Sequence, residues 1–367
     1  MSDMTVTFAE KLARIPHYEP GTSLDDARAR AETADAVKLA SNESPFPPHP
    51  AVIEAIARAA ADVNRYPDPE ARALRRAIAD HHETDPARIA VSNGSCEILL
   101  AAALALCEPG DEILYAWPSF SIYPHLPALS GAREIRVPLA EGYVHDLDAM
   151  LDQVTAATQL LIVCNPNNPT GTHIPAARIG AFVERVPDRT TVILDEAYVE
   201  YQANDDPDTT LDLLEGHPNV VLLRTFSKCH GLAGLRVGYA LCSPQFRAAV
   251  DAVRQPFSVN TLAQAAATEA IRHQDDVADR VERNVVERVF VEEALHELGF
   301  TTAESQTNFA WLDLGDLDEG EAVEALARAG VAVRPGTPLG GPGHLRVTYG
   351  TRAENERLLQ ALGAMAG

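Results

Sequence analysis

Between about residues 85 and 240, short apolar runs alternate with longer segments of mixed, helix-like polarity. Runs of this length suit strands buried on both faces, and their alternation with helices is the pattern of a parallel sheet covered on both sides. The runs predict strands at 89–92, 112–116, 134–138, 160–164, 191–195, 220–225 and 235–241. After Pro256 the polarity predicts a long helical stretch to about Leu298. Beyond it, strand-like runs at 309–314, 331–334 and 345–349, with a helix near 319–329, predict a smaller α+β unit. The expected fold class is therefore α/β, a mainly parallel sheet in a large domain followed by a smaller α+β C-terminal domain. The first 40 residues, interrupted by Pro16, Pro20 and Gly21, read as an irregular arm. The expected division is an arm over 1–35, a large domain over 36–256 and a small domain over 257–367.

Length supports that division, because 367 residues exceed what one core usually organises. The longest apolar run near the middle of the chain, Ile98 to Cys107, is about half of what a membrane-spanning helix needs. The stretch Met1 to Glu10 has neither a basic start nor an apolar core, so a cytoplasmic location is expected. A formal charge of −23 argues against nucleic acid or anionic membrane as partner. Five scattered cysteines (Cys96, Cys107, Cys164, Cys229, Cys242) with no C-x-x-C pair fit reduced thiols, and no structural metal is expected. Arginine carries nearly all of the positive charge, since Lys11, Lys38 and Lys228 are the only lysines.

In open parallel sheets, ligands bind beyond the carboxyl ends of the strands. Three predicted strand ends carry chemistry. The run 160–164 opens into Asn165-Pro166-Asn167-Asn168-Pro169-Thr170-Gly171, that at 191–195 ends in Asp195-Glu196-Ala197-Tyr198, and that at 220–225 leads to Phe226-Ser227-Lys228. Singly, a loop Asn is a turn residue, a strand-end Asp a helix cap and a Lys solvated surface. A lysine just past a buried strand, in a chain that otherwise uses arginine, is poorly explained as generic charge. Lysine forms Schiff bases with carbonyl cofactors, and a pyridoxal site needs a carboxylate opposite the pyridinium nitrogen to keep the ring an electron sink. Asp195 fits that partner role.

Six motifs in order extend this picture: 38–43 (KLASNE), 64–68 (NRYPD), 93–95 (NGS), 167–171 (NNPTG), 195–198 (DEAY), and Ser227-Lys228 followed by 231–236 (GLAGLR). With them the chain resembles, over nearly its whole length, the fold-type I pyridoxal-5′-phosphate-dependent aminotransferases, with the closest likeness to histidinol-phosphate aminotransferases. The resemblance implies that Lys228 holds the cofactor covalently and, once released by substrate, shuttles a proton between the substrate's α-carbon and the cofactor. It implies that Arg236, Thr225, Ser227 and the backbone N–H groups of Gly94, Ser95 and Cys96 hold the cofactor phosphate. It gives Asn168 and Tyr198 the cofactor's phenolic oxygen, Asp195 its ring nitrogen and Phe120 its ring face. Tyr66 is expected to reach the phosphate in a neighbouring subunit, which implies a homodimer. Cys96 departs from the aspartate usual in relatives, and Cys229-His230 replaces the small and aromatic residues usual after the lysine. Neither change removes a catalytic group, and His230 is read as a packed ring.

For the substrate, the resemblance gives Arg346 the anionic group of the amino donor, supported by Asn42. Arg334 and Tyr18 match residues that relatives use for the phosphate of histidinol phosphate. Transamination of L-histidinol phosphate with 2-oxoglutarate, a step of histidine biosynthesis, is the reading placed first. An aromatic amino-acid aminotransferase is the alternative, because such relatives share 199–201 (VEY) and the Ser-Phe-x-x-Tyr-Pro run of Ser119 to Pro124. A lyase resembling threonine-phosphate decarboxylases, and a regulatory module on the same fold, rank lower. The partners expected are thus a small-molecule donor, a 2-oxo acid acceptor and a second copy of the chain.

Overall fold

The computed structural model describes residues 7–17, 24–31 and 35–366. A helix at Leu24–Arg30, within the expected arm, and strand β1 (Val37–Lys38), just after it, stand where no element was expected. Seven strands build the large sheet: β2 (Ile89–Ser92), β3 (Glu112–Trp117), β4 (Arg133–Pro138), β5 (Thr158–Cys164), β6 (Thr191–Asp195), β7 (Val220–Thr225) and β8 (Gly238–Leu241). Their order is β2-β8-β7-β6-β5-β3-β4, parallel except for β8, which is antiparallel to both neighbours.

Successive side chains of a strand point to opposite faces, and here both faces are dry. Leu161 and Val163 of β5, Val192 and Leu194 of β6, and Val220 and Leu222 of β7 enter one buried cluster. Leu160, Ile162, Ile193, Val221 and Leu223 enter the other. The first face is covered by the helices Arg72–His81, Ala176–Val183 and Thr261–Ala270, the second by Ser95–Leu106 and Pro244–Val253. Burial on both sides is why these strands read as continuous apolar runs rather than alternating ones.

Two expectations are corrected. The strand predicted over 235–241 begins only at Gly238: Ala233–Leu235 forms a 3-10 turn, and Arg236 follows in the left-handed region with φ 56°. The single helical stretch after Pro256 is two helices, Thr261–Ala270 and Gln274–Glu297. The first buries its alanine face against the large sheet, whereas the second sends Val291 and Leu295 into a separate cluster, and one straight rod could not do both.

That separate cluster gathers Leu39, Ala310, Leu312, Leu326, Leu345, Val347, Leu358 and Leu362 around a four-stranded antiparallel sheet. Its strands are β9 (Thr301–Thr302), β10 (Phe309–Asp313), β12 (Arg334–Pro335) and β13 (His344–Thr348), while β11 (Val331–Ala332) pairs in parallel with β1. In β13, Leu345 and Val347 face this core, so alternation turns Arg346 and Thr348 the other way. None of the five cysteines is in a disulfide. Among the described residues no helix is long and apolar enough to cross a membrane.

Candidate active site

The carboxyl ends of β2, β3, β5, β6 and β7 lie along one edge of the large sheet, and the register fixes what meets there. Ser92 and Thr225 both pair with Gly238, and Cys164 pairs with Asp195. A cleft of about 290 Å³ opens at this edge. Asn42, Ser95, Cys96, Phe120, Asn168, Asp195, Tyr198, Thr225, Ser227, Lys228, Arg236, Arg334 and Arg346 all line it. These are thirteen of the sixteen residues singled out from the sequence, drawn from segments some 300 positions apart.

Lys228 lies partly buried in the cleft wall, its Nζ donating to Ser41 O at 3.2 Å and sitting 5.5 Å from the centre of the Tyr198 ring. Burial, followed by the nearby Arg346 guanidinium, pushes its amine down to about 7. A neutral amine is a nucleophile and a base; a protonated one is neither.

Asp195 closes the end of β6 and is 2% exposed. Its Oδ2 accepts a hydrogen bond from Tyr123 at 2.8 Å, while Oδ1 is buried with no hydrogen-bond partner. Burial raises this carboxyl to about 6. An orphaned buried oxygen carries a large desolvation cost, which a cationic ring N–H would offset.

At the opposite end of the cleft the helix Ser95–Leu106 begins at Gly94 with no side-chain cap, leaving its first N–H groups to a ligand. The Arg236 guanidinium lies against Gly94 so closely that a Cβ there would come within 2.4 Å of Nη2. Arg236 Nη1 donates to Ser227 Oγ at 3.2 Å. Thr225 Oγ1 accepts from the Ser227 N–H at 3.1 Å. Uncapped amides, a guanidinium and hydroxyls in one corner are a donor set for a phosphate.

The smaller unit supplies the roof. Arg346 donates from Nη1 to Asn168 Oδ1 at 2.7 Å and from Nη2 to Ala40 O at 2.8 Å. Asn42, at φ 54°, donates from Nδ2 to Tyr198 OH at 2.9 Å and from its backbone N–H to Thr348 Oγ1 at 2.9 Å. Arg334 is the cross-strand partner of Arg346, so two guanidinium stems occupy one rung facing one cleft. A guanidinium fork suits a carboxylate or a phosphate, so these two side chains are the donors at this end of the cleft that an anionic ligand could meet.

Three expected residues lie elsewhere. Gly94 sits behind Arg236 rather than in the lining. Tyr66 is 83% exposed, stacked on Phe257 at 4.7 Å on the outer surface. Tyr18 falls outside the described residues. Conversely, Tyr123, Ser41 and Leu339 touch or line the site without having been assigned to it. Tyr123 was visible only as part of the Ser119 to Pro124 run. His230 is buried and packed at 4.8 Å on Phe226, away from the cleft.

Residues 34–362 match the family model described as aminotransferase class I and II. An aromatic amino acid aminotransferase of Streptomyces coelicolor is 42% identical, covering 98% of each chain. A histidinol-phosphate aminotransferase of Geobacillus thermodenitrificans is 39% identical, covering 97% of each. The crystal structure of histidinol-phosphate aminotransferase from Sinorhizobium meliloti in complex with pyridoxal-5′-phosphate superposes with a TM-score of 0.89 at 30% identity, covering 99% of this chain and 98% of that one. The orphaned Asp195 oxygen and the phosphate corner at Gly94 and Arg236 fit that group. From its sequence and its fold alike, the chain belongs to the class I and II aminotransferases, with pyridoxal phosphate as cofactor.

Proposed function

We propose that the chain transfers the amino group of an aromatic L-amino acid to a 2-oxo dicarboxylic acid such as 2-oxoglutarate. The observation that carries this reading is the 42% identity, over 98% of both chains, to a relative named for aromatic amino acids. Phe120 and Leu339 give the cleft apolar walls for a ring. The bound cofactor supplies the electron sink that makes the α-proton of an attached amino acid acidic. Lys228 moves that proton, its amine brought down to about 7 by burial and Arg346, so that a large share of it is neutral near pH 7. Asp195, whose buried Oδ1 has no other hydrogen-bond partner, would hold the protonated ring nitrogen, and Tyr198 and Asn168 would hold the phenolic oxygen. Arg346 takes the carboxylate at the α-carbon, and Arg334, across the same rung, takes the second carboxylate of the acceptor.

Transamination of histidinol phosphate is the second reading, favoured by Arg334, since a phosphate monoester placed there would meet both guanidinium groups. The two separate in the half-reaction. Cofactor-loaded protein is mixed with phenylalanine or with histidinol phosphate, without acceptor, and loss of the bound-cofactor absorbance is followed. Phenylalanine is expected to react with the higher kcat/KM. A reversed order transfers the chain to histidinol phosphate. Arg334→Ala should then raise KM for 2-oxoglutarate by about tenfold while leaving the phenylalanine half-reaction nearly unchanged.

A further inference from the structure

A second cavity, of about 480 Å³, is lined in part by Arg224 and shares no lining residue with the cofactor cleft, and no step of the reaction above uses it. His81 and His82, at the end of the helix Arg72–His81, and Asp208, in the loop before Thr209–Asp212, meet in its wall. Each offers one ligand atom, and the three atoms lie within 4.8 Å of one another.

His82 is the telling residue. It is 8% exposed, and its Nε2 is 3.0 Å from the Tyr239 hydroxyl. Its Nδ1 is buried without a hydrogen-bond partner, 3.6 Å from Asp208 Oδ1 and beyond hydrogen-bonding reach. In the tautomer that gives the Nε2 hydrogen to Tyr239, the Nδ1 lone pair faces Asp208 Oδ1, an oxygen that also accepts from Arg224 Nη1 at 2.7 Å. An imidazole whose far nitrogen is fixed by an outer hydrogen bond is the arrangement around metal-ligating histidines.

The surrounding charge points the same way. Glu200, Asp206, Asp208 and Glu282 line the cavity against a single cation, Arg224. Arg224 is already held by Glu196 at 2.9 Å as well as by Asp208 at 2.7 Å. Glu200 Oε2 is itself buried without a hydrogen-bond partner. Two imidazole nitrogens and a carboxylate oxygen form a donor set for a borderline divalent ion, with the remaining position open to water. Tetrahedral ligand atoms around zinc stand about 3.4 Å apart. The 4.8 Å spread therefore closes with small turns of His81 and Asp208, the two half-buried members of the three.

We propose that His81, His82 and Asp208 bind one zinc-class divalent cation, which clips the end of the Arg72–His81 helix to the loop that supports Arg224. The sequence reading expected no structural metal, because it looked for cysteine pairs; this site uses none. Because Asp208 is shared with Arg224, the next-to-last residue of β7, the clip would brace the end of the strand that leads to Lys228.

Chelator-treated, cofactor-loaded protein is titrated with Zn2+ against a chromophoric competitor, and with Co2+ while its visible absorption is recorded. One equivalent per chain is expected, with a Co2+ spectrum of nitrogen and oxygen ligands in low coordination and a thermal midpoint that rises with Zn2+. His81→Gln and His82→Gln should each weaken binding at least tenfold. His81→Gln is the variant less exposed to folding damage, and its metal-free midpoint should match that of the wild type. No binding in the micromolar range, or stoichiometric binding unchanged in both variants, overturns the proposal.

Discussion

In the proposed reaction the chemistry turns on the amine of Lys228, and its setting has a measurable sign. Burial and Arg346 both disfavour the ammonium, so the group that titrates near 10.5 in water is expected to lose its proton at about 7. Only the neutral amine attacks a carbonyl. The rate at which cofactor-free protein takes up pyridoxal phosphate should therefore rise as pH passes through about 7 and level off above it. A rate still climbing toward pH 10 would show an unperturbed lysine. Asp195 presents the complementary case, a carboxylate kept in a dry site by what it will hold. Asp195→Asn keeps the shape and the contact to Tyr123 but not the charge, and should slow α-proton removal by about 100-fold or more. A rate within a few-fold of wild type removes Asp195 from its assigned role. At this scale much was legible: Lys228 stood out because lysine is scarce, and Asp195 because it ends a buried run. Tyr123 was not, since its bond to Asp195 spans 72 positions and leaves no local trace.

At the scale of elements, the phosphate corner depends on how closely β8 and the Ser95–Leu106 helix approach. Gly238 lies under the start of that helix, where an added Cβ would be 2.5 Å from the Ser95 nitrogen. Gly94, at φ 76°, allows both the turn into the helix and the contact with Arg236. Gly94→Ala strains the backbone and displaces a guanidinium at once. It should weaken cofactor binding by about tenfold or more, while a far-ultraviolet spectrum stays native. Retained affinity would mean that Arg236 and the helix end do not share one ligand. Three of the seven strands, β2, β6 and β7, have the bounds expected from the apolar runs, because strands buried on both faces announce themselves by composition alone. The early start predicted for β8 failed at Arg236. Its left-handed φ, uncommon for a residue with a Cβ, breaks the extended run there and places the guanidinium against Gly94. β1 is too short to register, and it exists only because β11 is there to pair with it.

For the whole molecule, Tyr66 poses the question, since a tyrosine 83% exposed and stacked on Phe257 contributes nothing to its own cleft. We propose that it serves the cleft of a second copy. Tyr66→Ala should weaken cofactor retention, and mixing it with an equal amount of Lys228→Ala, which cannot turn over, should restore native retention at the hybrid's one intact site. The mixture is dissociated and reassociated, and cofactor-binding curves are read for a recovered high-affinity class. Failure to recover it would place Tyr66 outside any shared site.

The amino-acid sequence by itself determined the α/β class, most strand positions and the singling out of Lys228 and Asp195 as candidates, because each depends on residue type and near neighbours. Only the tertiary structure decided that Arg334 faces Arg346 across one rung, that Asp195 keeps a free oxygen, and that His81 and His82 meet Asp208. Such relations depend on register and on packing between distant segments, and periodicity along a chain carries no information about which strand lies beside which.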